Sequence, residues 1–234
     1  MAECLGNQGG LRNSEMFHKS EDPKQKHHRA LKIGSLSGRC KSVTFDFTVG
    51  VATHEEILEW ARDLDPDTAI LKWDLFYTKH NRTRLSHEVV TGPGFRALSV
   101  TLWLKKSLIR RAAMGEKFST SSAILVRVKG EVLVPMTAKW RELRDKILEG
   151  FIGWVKEGIT WHSRRRGFAT DAIRAGVPSA IVKLCMRHRI DVTEGYICLP
   201  DSVKAAVSAK IAKLGYLVPQ LNLFLVLFPE CPVG

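Results

Sequence analysis

His162, Arg165 and Tyr196 are residue types that together could exchange one phosphodiester for another. A phosphodiester resists attack because its charged oxygens repel nucleophiles, and fixed cations that meet charge in the transition state are the remedy. The guanidinium fork of Arg165 matches two phosphoryl oxygens. His162 stands three residues earlier, one turn away on a helix, so both side chains can address one phosphate. Its imidazole can bond that phosphate or accept the phenol proton. Tyr196 would attack phosphorus and conserve the bond energy in a covalent phosphotyrosine. Each residue also has a plainer reading: Arg165 as a surface arginine beside Arg164 and Arg166, His162 as an idle helix-end histidine, Tyr196 as a core tyrosine. The ordered set argues against three coincidences.

The set is carried by Trp161-His162-Ser163-Arg164-Arg165-Arg166-Gly167-Phe168-Ala169-Thr170 and by Gly195-Tyr196-Ile197. This segment resembles the catalytic core of tyrosine recombinases, the phage integrases and related mobile-element recombinases. Their second box reads His-x-Leu-Arg-Arg-x-x-Ala-Thr. His162, Arg165, Arg166, Ala169 and Thr170 match it, and Arg164 replaces the leucine. Ala175-Gly176-Val177-Pro178 and Ile181 fit the family's turn into its next helix. His188 falls where the family places His or Trp, and Tyr196 falls on the nucleophile. Weaker matches extend the resemblance from about Thr44 to Leu214.

The resemblance implies a mainly α fold with a small antiparallel β-sheet (α+β). It also implies DNA cleavage and rejoining with no cofactor or metal, on double-stranded DNA, beside sister protomers. In this scheme His188 contacts a non-bridging oxygen. Lys79, in the hairpin Thr78-Lys79-His80-Asn81-Arg82-Thr83-Arg84, protonates the leaving 5′-oxygen. Arg82, Arg84, Arg164, Arg166, Arg187 and Arg189 would be DNA-contacting cations. The plain alternatives are a basic face for Arg187-His188-Arg189 and a basic turn for Lys79.

Three departures from the family pattern bear on activity. The first box normally supplies a second arginine, but the corresponding stretch is Gly50-Val51-Ala52-Thr53-His54-Glu55-Glu56-Ile57-Leu58, with Ala52 or Thr53 in its place. Arg62 lies too far along to substitute comfortably. Losing one phosphate clamp costs several kcal/mol, as losing an oxyanion-hole donor does. Met186 stands where a glycine usually precedes the His/Trp position. The family's N-terminal DNA-gripping domain is expected to be absent. Two readings therefore stand: a strand-exchange enzyme, and a catalytically impaired DNA-binding remnant. A helix-turn-helix regulator around Gly176-Val177-Pro178 is weaker, because it leaves the His-Arg-Tyr order unexplained. A type IB topoisomerase shares similar chemistry, though the Arg-Arg-Gly-Phe-Ala-Thr run favours a recombinase.

Composition agrees with a polyanionic partner. The 234 residues carry a net charge of +12, and 44% are hydrophobic, enough for a packed core. Cys4, Cys40, Cys185, Cys198 and Cys231 are scattered and odd in number, which suits reduced thiols in an intracellular protein. No secretory signal or membrane-length apolar run is legible, so the expected setting is the nucleus or nucleoid.

The elements that must position these residues follow from spacing. Residues 1–42, with the basic cluster Lys24-Gln25-Lys26-His27-His28-Arg29, read as a mostly disordered tail ahead of a domain at 43–215. Gly34 to Ser42 mimics a phosphate loop but separates Gly38 from Lys41 by two residues, where the loop needs them adjacent. Thr53 reads as the N-cap of a helix at 54–62 that buries Ile57, Leu58 and Ala61. Leu71, Trp73, Leu75 and Tyr77 alternate as a strand, with Arg82 to Val90 returning as its partner. Helices are predicted at 93–111 and 136–155, and a strand at 123–128. A helix from about Ser163 should stop at Gly176. Pro178 opens another with a stripe of Ile181, Leu184 and Cys185. The last helix starts near Asp201 and turns Val203, Val207, Ile211 and Leu214 inward. Residues 216–234 form a tail whose apolar strip, Leu221 to Phe228, has no assigned place.

Overall fold

In the computed structural model the described residues are 31–75, 87–94, 99–140, 161–186 and 200–215. Isolated positions at 5, 9, 11, 13–17, 142, 143 and 146 are described as well. Two antiparallel sheets and five principal helices are built from them, an α+β arrangement. The larger sheet has the order β2-β1-β3-β4, with β1 Leu36–Cys40, β2 Val43–Asp46, β3 Ile70–Leu75 and β4 His87–Thr91. Along β3, Leu71, Trp73 and Leu75 are buried while Ile70, Lys72 and Asp74 are half-buried, the period-2 pattern of a strand with one core face. Fully buried Trp73 donates its indole N–H to Thr91 Oγ1 across the ladder at 3.1 Å, so its one polar atom is satisfied.

Helix α1 (His54–Asp63) begins with a capping box: Thr53 Oγ1 accepts from the Glu56 N–H, and the Glu56 carboxylate accepts from the Thr53 N–H at 2.7 Å. It buries Ile57 and Ala61, with Leu58 only half-covered. Helix α2 (Val100–Ala113) starts seven residues later than the spacing predicts, at a Ser99 cap, because Gly92-Pro93-Gly94 runs as non-helical chain first. A ribbon of β5 (Val126–Lys129) and β6 (Val132–Pro135) turns at Gly130, and helical backbone resumes at 138–140.

The boundary expected at residue 42 does not hold, since it cuts the β1–β2 hairpin at its turn. The segment that mimicked a phosphate loop is largely β1, paired with both β2 and β3. Leu5, Leu11, Met16, Phe17, Leu31, Ile33 and Leu36 all join the first core, under the sheet with α1 and α2. Their spacing follows neither helix nor strand period, so the sequence shows no amphipathic signal, yet each burial removes apolar surface from water.

The second core belongs to three helices: α3 (Trp161–Arg174), α4 (Ser179–Cys185) and α5 (Asp201–Gly215). The chain leaves α3 through two paired bonds, Val177 N–H to the Ala172 carbonyl and Gly176 N–H to the Ile173 carbonyl, both 2.9 Å. This Schellman exit needs a left-handed residue, supplied by Gly176 at φ +74°. Val177 and Ala172, which flank the exit, both sit in the second core. On α4 the predicted stripe is rotated: Val182 and Met186 are buried, whereas Ile181, Leu184 and Cys185 are half-buried. Helix α5 packs on β4, where a Cβ on Gly92 would lie 2.3 Å from the Ala205 carbonyl oxygen.

Candidate active site

Helix α3 holds the predicted phosphate-binding pair. Its backbone places His162 and Arg165 one turn apart on a continuous helix, as the chemistry requires. Of His162 and Arg164 only the backbone is described. Arg165 is not a surface residue: its side chain is 5% exposed, and an Nη donates to the main-chain carbonyl of Met186. Burial follows from helix geometry, because Arg165, Phe168 and Ala172 share the inward arc of α3 while Arg166, Thr170, Ile173 and Arg174 face solvent. A buried guanidinium must be hydrogen-bonded to be tolerated, and the C-terminal carbonyls of α4 are acceptors without helical donors of their own. Arg165 therefore ties α3 to the end of α4, two residues before His188.

Lys79, Arg82, Arg84, Arg187, His188, Arg189 and Tyr196 lie outside the described residues, as does Leu221 to Phe228. Arg166 is exposed.

The stretch that should supply the first-box arginine is occupied with structural work. Thr53 caps α1 and Ala52 packs against the first core. His54 Nδ1 accepts the Phe118 N–H at 3.1 Å with its ring against Phe118. Arg62 lines a groove of about 800 Å³ between the β1–β2 hairpin and α1, together with Phe45, Trp60, Glu59, Asp63 and Lys105. Lys105 Nζ donates to the Arg62 and Leu64 carbonyls at 2.6 and 2.9 Å, closing the C-terminus of α1.

Sequence reasoning missed an ionic cluster where β3, β4 and α5 meet. Lys72 bridges Glu88 at 2.6 Å and Asp201 at 3.5 Å, and Lys204 bridges the same two carboxylates at 3.8 and 3.4 Å. The Lys72 ammonium is held above its usual pKa by its hydrogen bond to Glu88, against partial burial, with the charges of Glu88 and Asp201 adding. The cluster pins the start of α5, five residues after Tyr196. Directly across from Glu88 stands Asp74, whose Oδ1 is buried without a hydrogen-bond partner. Burial raises the Asp74 carboxyl, Glu88 and Asp46 push the same way, and Lys72 opposes. No spacing rule announces such a cross-element cluster before the strand register is known.

Among the described residues no three His, Cys, Asp or Glu side chains are gathered as a metal ion would need, and no helix is long and apolar enough to cross a membrane. Comparison with family models, with curated proteins and with solved structures finds no match to this chain.

Proposed function

We propose that this chain is a DNA-binding protein of the tyrosine-recombinase type, which cuts and rejoins DNA through a covalent 3′-phosphotyrosine on Tyr196. In the forward step the Tyr196 phenolate oxygen bonds to phosphorus and the 5′-oxygen leaves. His162 takes the phenol proton and Lys79 returns one to the 5′-oxygen. Arg165 and His188 meet the charge on the non-bridging oxygens. Religation reverses these transfers, and one phosphodiester is exchanged for another without an energy source. Duplex DNA is the substrate, sister protomers on DNA are the expected partners, and the nucleus or nucleoid is the setting.

The observation that supports this reading is the state of Arg165. It is buried on α3 at helical spacing from His162 and bonded to the chain just ahead of His188. A surface arginine would do neither. The test is covalent trapping on nicked suicide duplexes. Wild type should form a protein–DNA adduct that Tyr196→Phe abolishes; equal trapping by both proteins ends the proposal.

The structural duties of Gly50 to Leu58 favour a second reading, the catalytically impaired DNA-binding remnant. That stretch contains no lysine or arginine, and its histidine is engaged by Phe118. On this reading the protein binds duplex DNA with steep salt dependence and does not cut it. Ala52→Arg would then restore cleavage while sparing the Thr53 cap. Wild-type trapping excludes the remnant.

A further inference from the structure

We propose that α3, the turn at 175–178 and α4 form a helix-turn-helix unit whose outer α4 face, Ser179, Ala180 and Lys183, enters the major groove of duplex DNA. The inference rests on the DNA-binding reading above and adds the docking surface. It concerns neither the reacting phosphate nor Tyr196.

Four observations carry it. The connection between the helices is short and fixed by the paired Schellman bonds, with Gly176 left-handed. Val177, in the middle of that turn, is buried, so the turn is anchored in the core rather than looping freely. Both helices rest on one apolar cluster of Phe168, Ala172, Val177, Val182, Val207 and Ile211, with α5 as the supporting third helix. Finally, the solvent side of α4 is small and polar. Ser179, Ala180 and Lys183 are exposed and span an arc of about 100° on the helical wheel. Val182 and Met186, about 60° and 20° beyond Ser179 on the same wheel, form the adjoining buried flank.

The occupant follows from charge and shape. Residues 161–185 contain five basic side chains and one acidic, and that acid, Asp171, is half-buried rather than presented outward. Outward from α3 stand Arg166 and Arg174, the latter bridging partly exposed Asp171 at 3.9 Å, and outward from α4 stands Lys183. A phosphate-lined groove meets a net positive charge there. The major groove is wide enough to admit an α-helix. Serine and alanine at the leading face let the α4 backbone approach base edges closely, which a bulky residue would prevent. A helix-turn-helix reads DNA in this way, with its second helix in the groove and the first across the backbone.

The test selects binding sites from a duplex library with a randomised centre, then compares wild type, Ala180→Trp and Lys183→Gln on the selected site. Methylation interference at guanine N7 reports major-groove contact. Both substituted positions are exposed, and thermal melting verifies that the variants fold. We expect N7 interference in wild type. Ala180→Trp should bind the selected site five- to a hundredfold more weakly, the range for a lost base contact. Its affinity for random duplex should stay within about twofold. Lys183→Gln should relax the selected sequence. Unchanged affinity and an unchanged N7 pattern in both variants would overturn the docking while leaving trapping through Tyr196 untouched. Absence of any duplex binding by wild type would remove this inference and the DNA-binding reading together.

Discussion

Replacing Arg165 by methionine keeps most of the aliphatic stem and deletes the guanidinium, and with it the bond to Met186. The bond joins a charged donor to a buried main-chain acceptor, a class that contributes about 1.5–3 kcal/mol. Removing the donor strands the carbonyl at the end of α4, which costs about 1–3 kcal/mol by itself. These are two descriptions of one loss and are not summed. Against them stands the relief of no longer burying a cation. The net expectation for Arg165→Met is destabilisation by about 2 kcal/mol, or roughly 4–8 °C in Tm for a chain of this size. Arg165→Ala also removes the methylenes beside the second core and should cost about 4 kcal/mol. Urea melts followed by circular dichroism give both numbers. Hydrogen exchange localises the effect, which should fall on amides of α4 rather than on the β3–β4 ladder. Covalent trapping should disappear in both variants, including at a urea-free temperature where each is fully folded. Arg165→Met with an unchanged urea midpoint and unchanged α4 exchange would refute the tie between α3 and α4, and with it the support that Arg165 lends to the proposed site.

Gly92→Ala should loosen α5 from the sheet, because the new Cβ would sit 2.3 Å from the Ala205 carbonyl. Overpacking of this kind costs about 1–3 kcal/mol, read as a lowered Tm with early exchange in α5. Asp74→Asn should raise the Tm modestly at neutral pH, since a half-buried carboxylate opposite Glu88 is replaced by a neutral group and solvent screens the rest of the effect. The sign is fixed by the raised pKa: Asp74 contributes stability while protonated and loses it as pH rises through its folded value. The advantage of the variant should therefore shrink as pH falls through that range, and an advantage equal at all pH values would count against it. Thr53→Ala removes the reciprocal cap of α1 and should cost about 1 kcal/mol in thermal melts, without changing DNA affinity.

Local chemistry was legible before any fold was known. The Thr53–Glu56 spacing announces a capping box, the alternation at Leu71, Trp73 and Leu75 announces a strand, and Ala175-Gly176 announces the end of α3. Each depends on interactions within a few residues, so spacing alone carries the information. The helical placement of His162 and Arg165 belongs to the same class.

Other features required the chain to fold back on itself. Residues 1–42 read as a tail because little there shows helix or strand periodicity, yet Leu31, Ile33 and Leu36 join the first core and β1 sits second in the sheet. The rotation of α4 toward Val182 and Met186, the Lys72–Glu88–Asp201–Lys204 cluster and the contact between Gly92 and Ala205 all join residues far apart in sequence. Arg165 shows the division most clearly. Its type and spacing came from the sequence, but its burial and its hold on Met186 came from how α3 packs against α4. Short-range hydrogen bonds and side-chain periods are encoded residue by residue, whereas burial depends on which distant surfaces meet, and only the tertiary structure decides that.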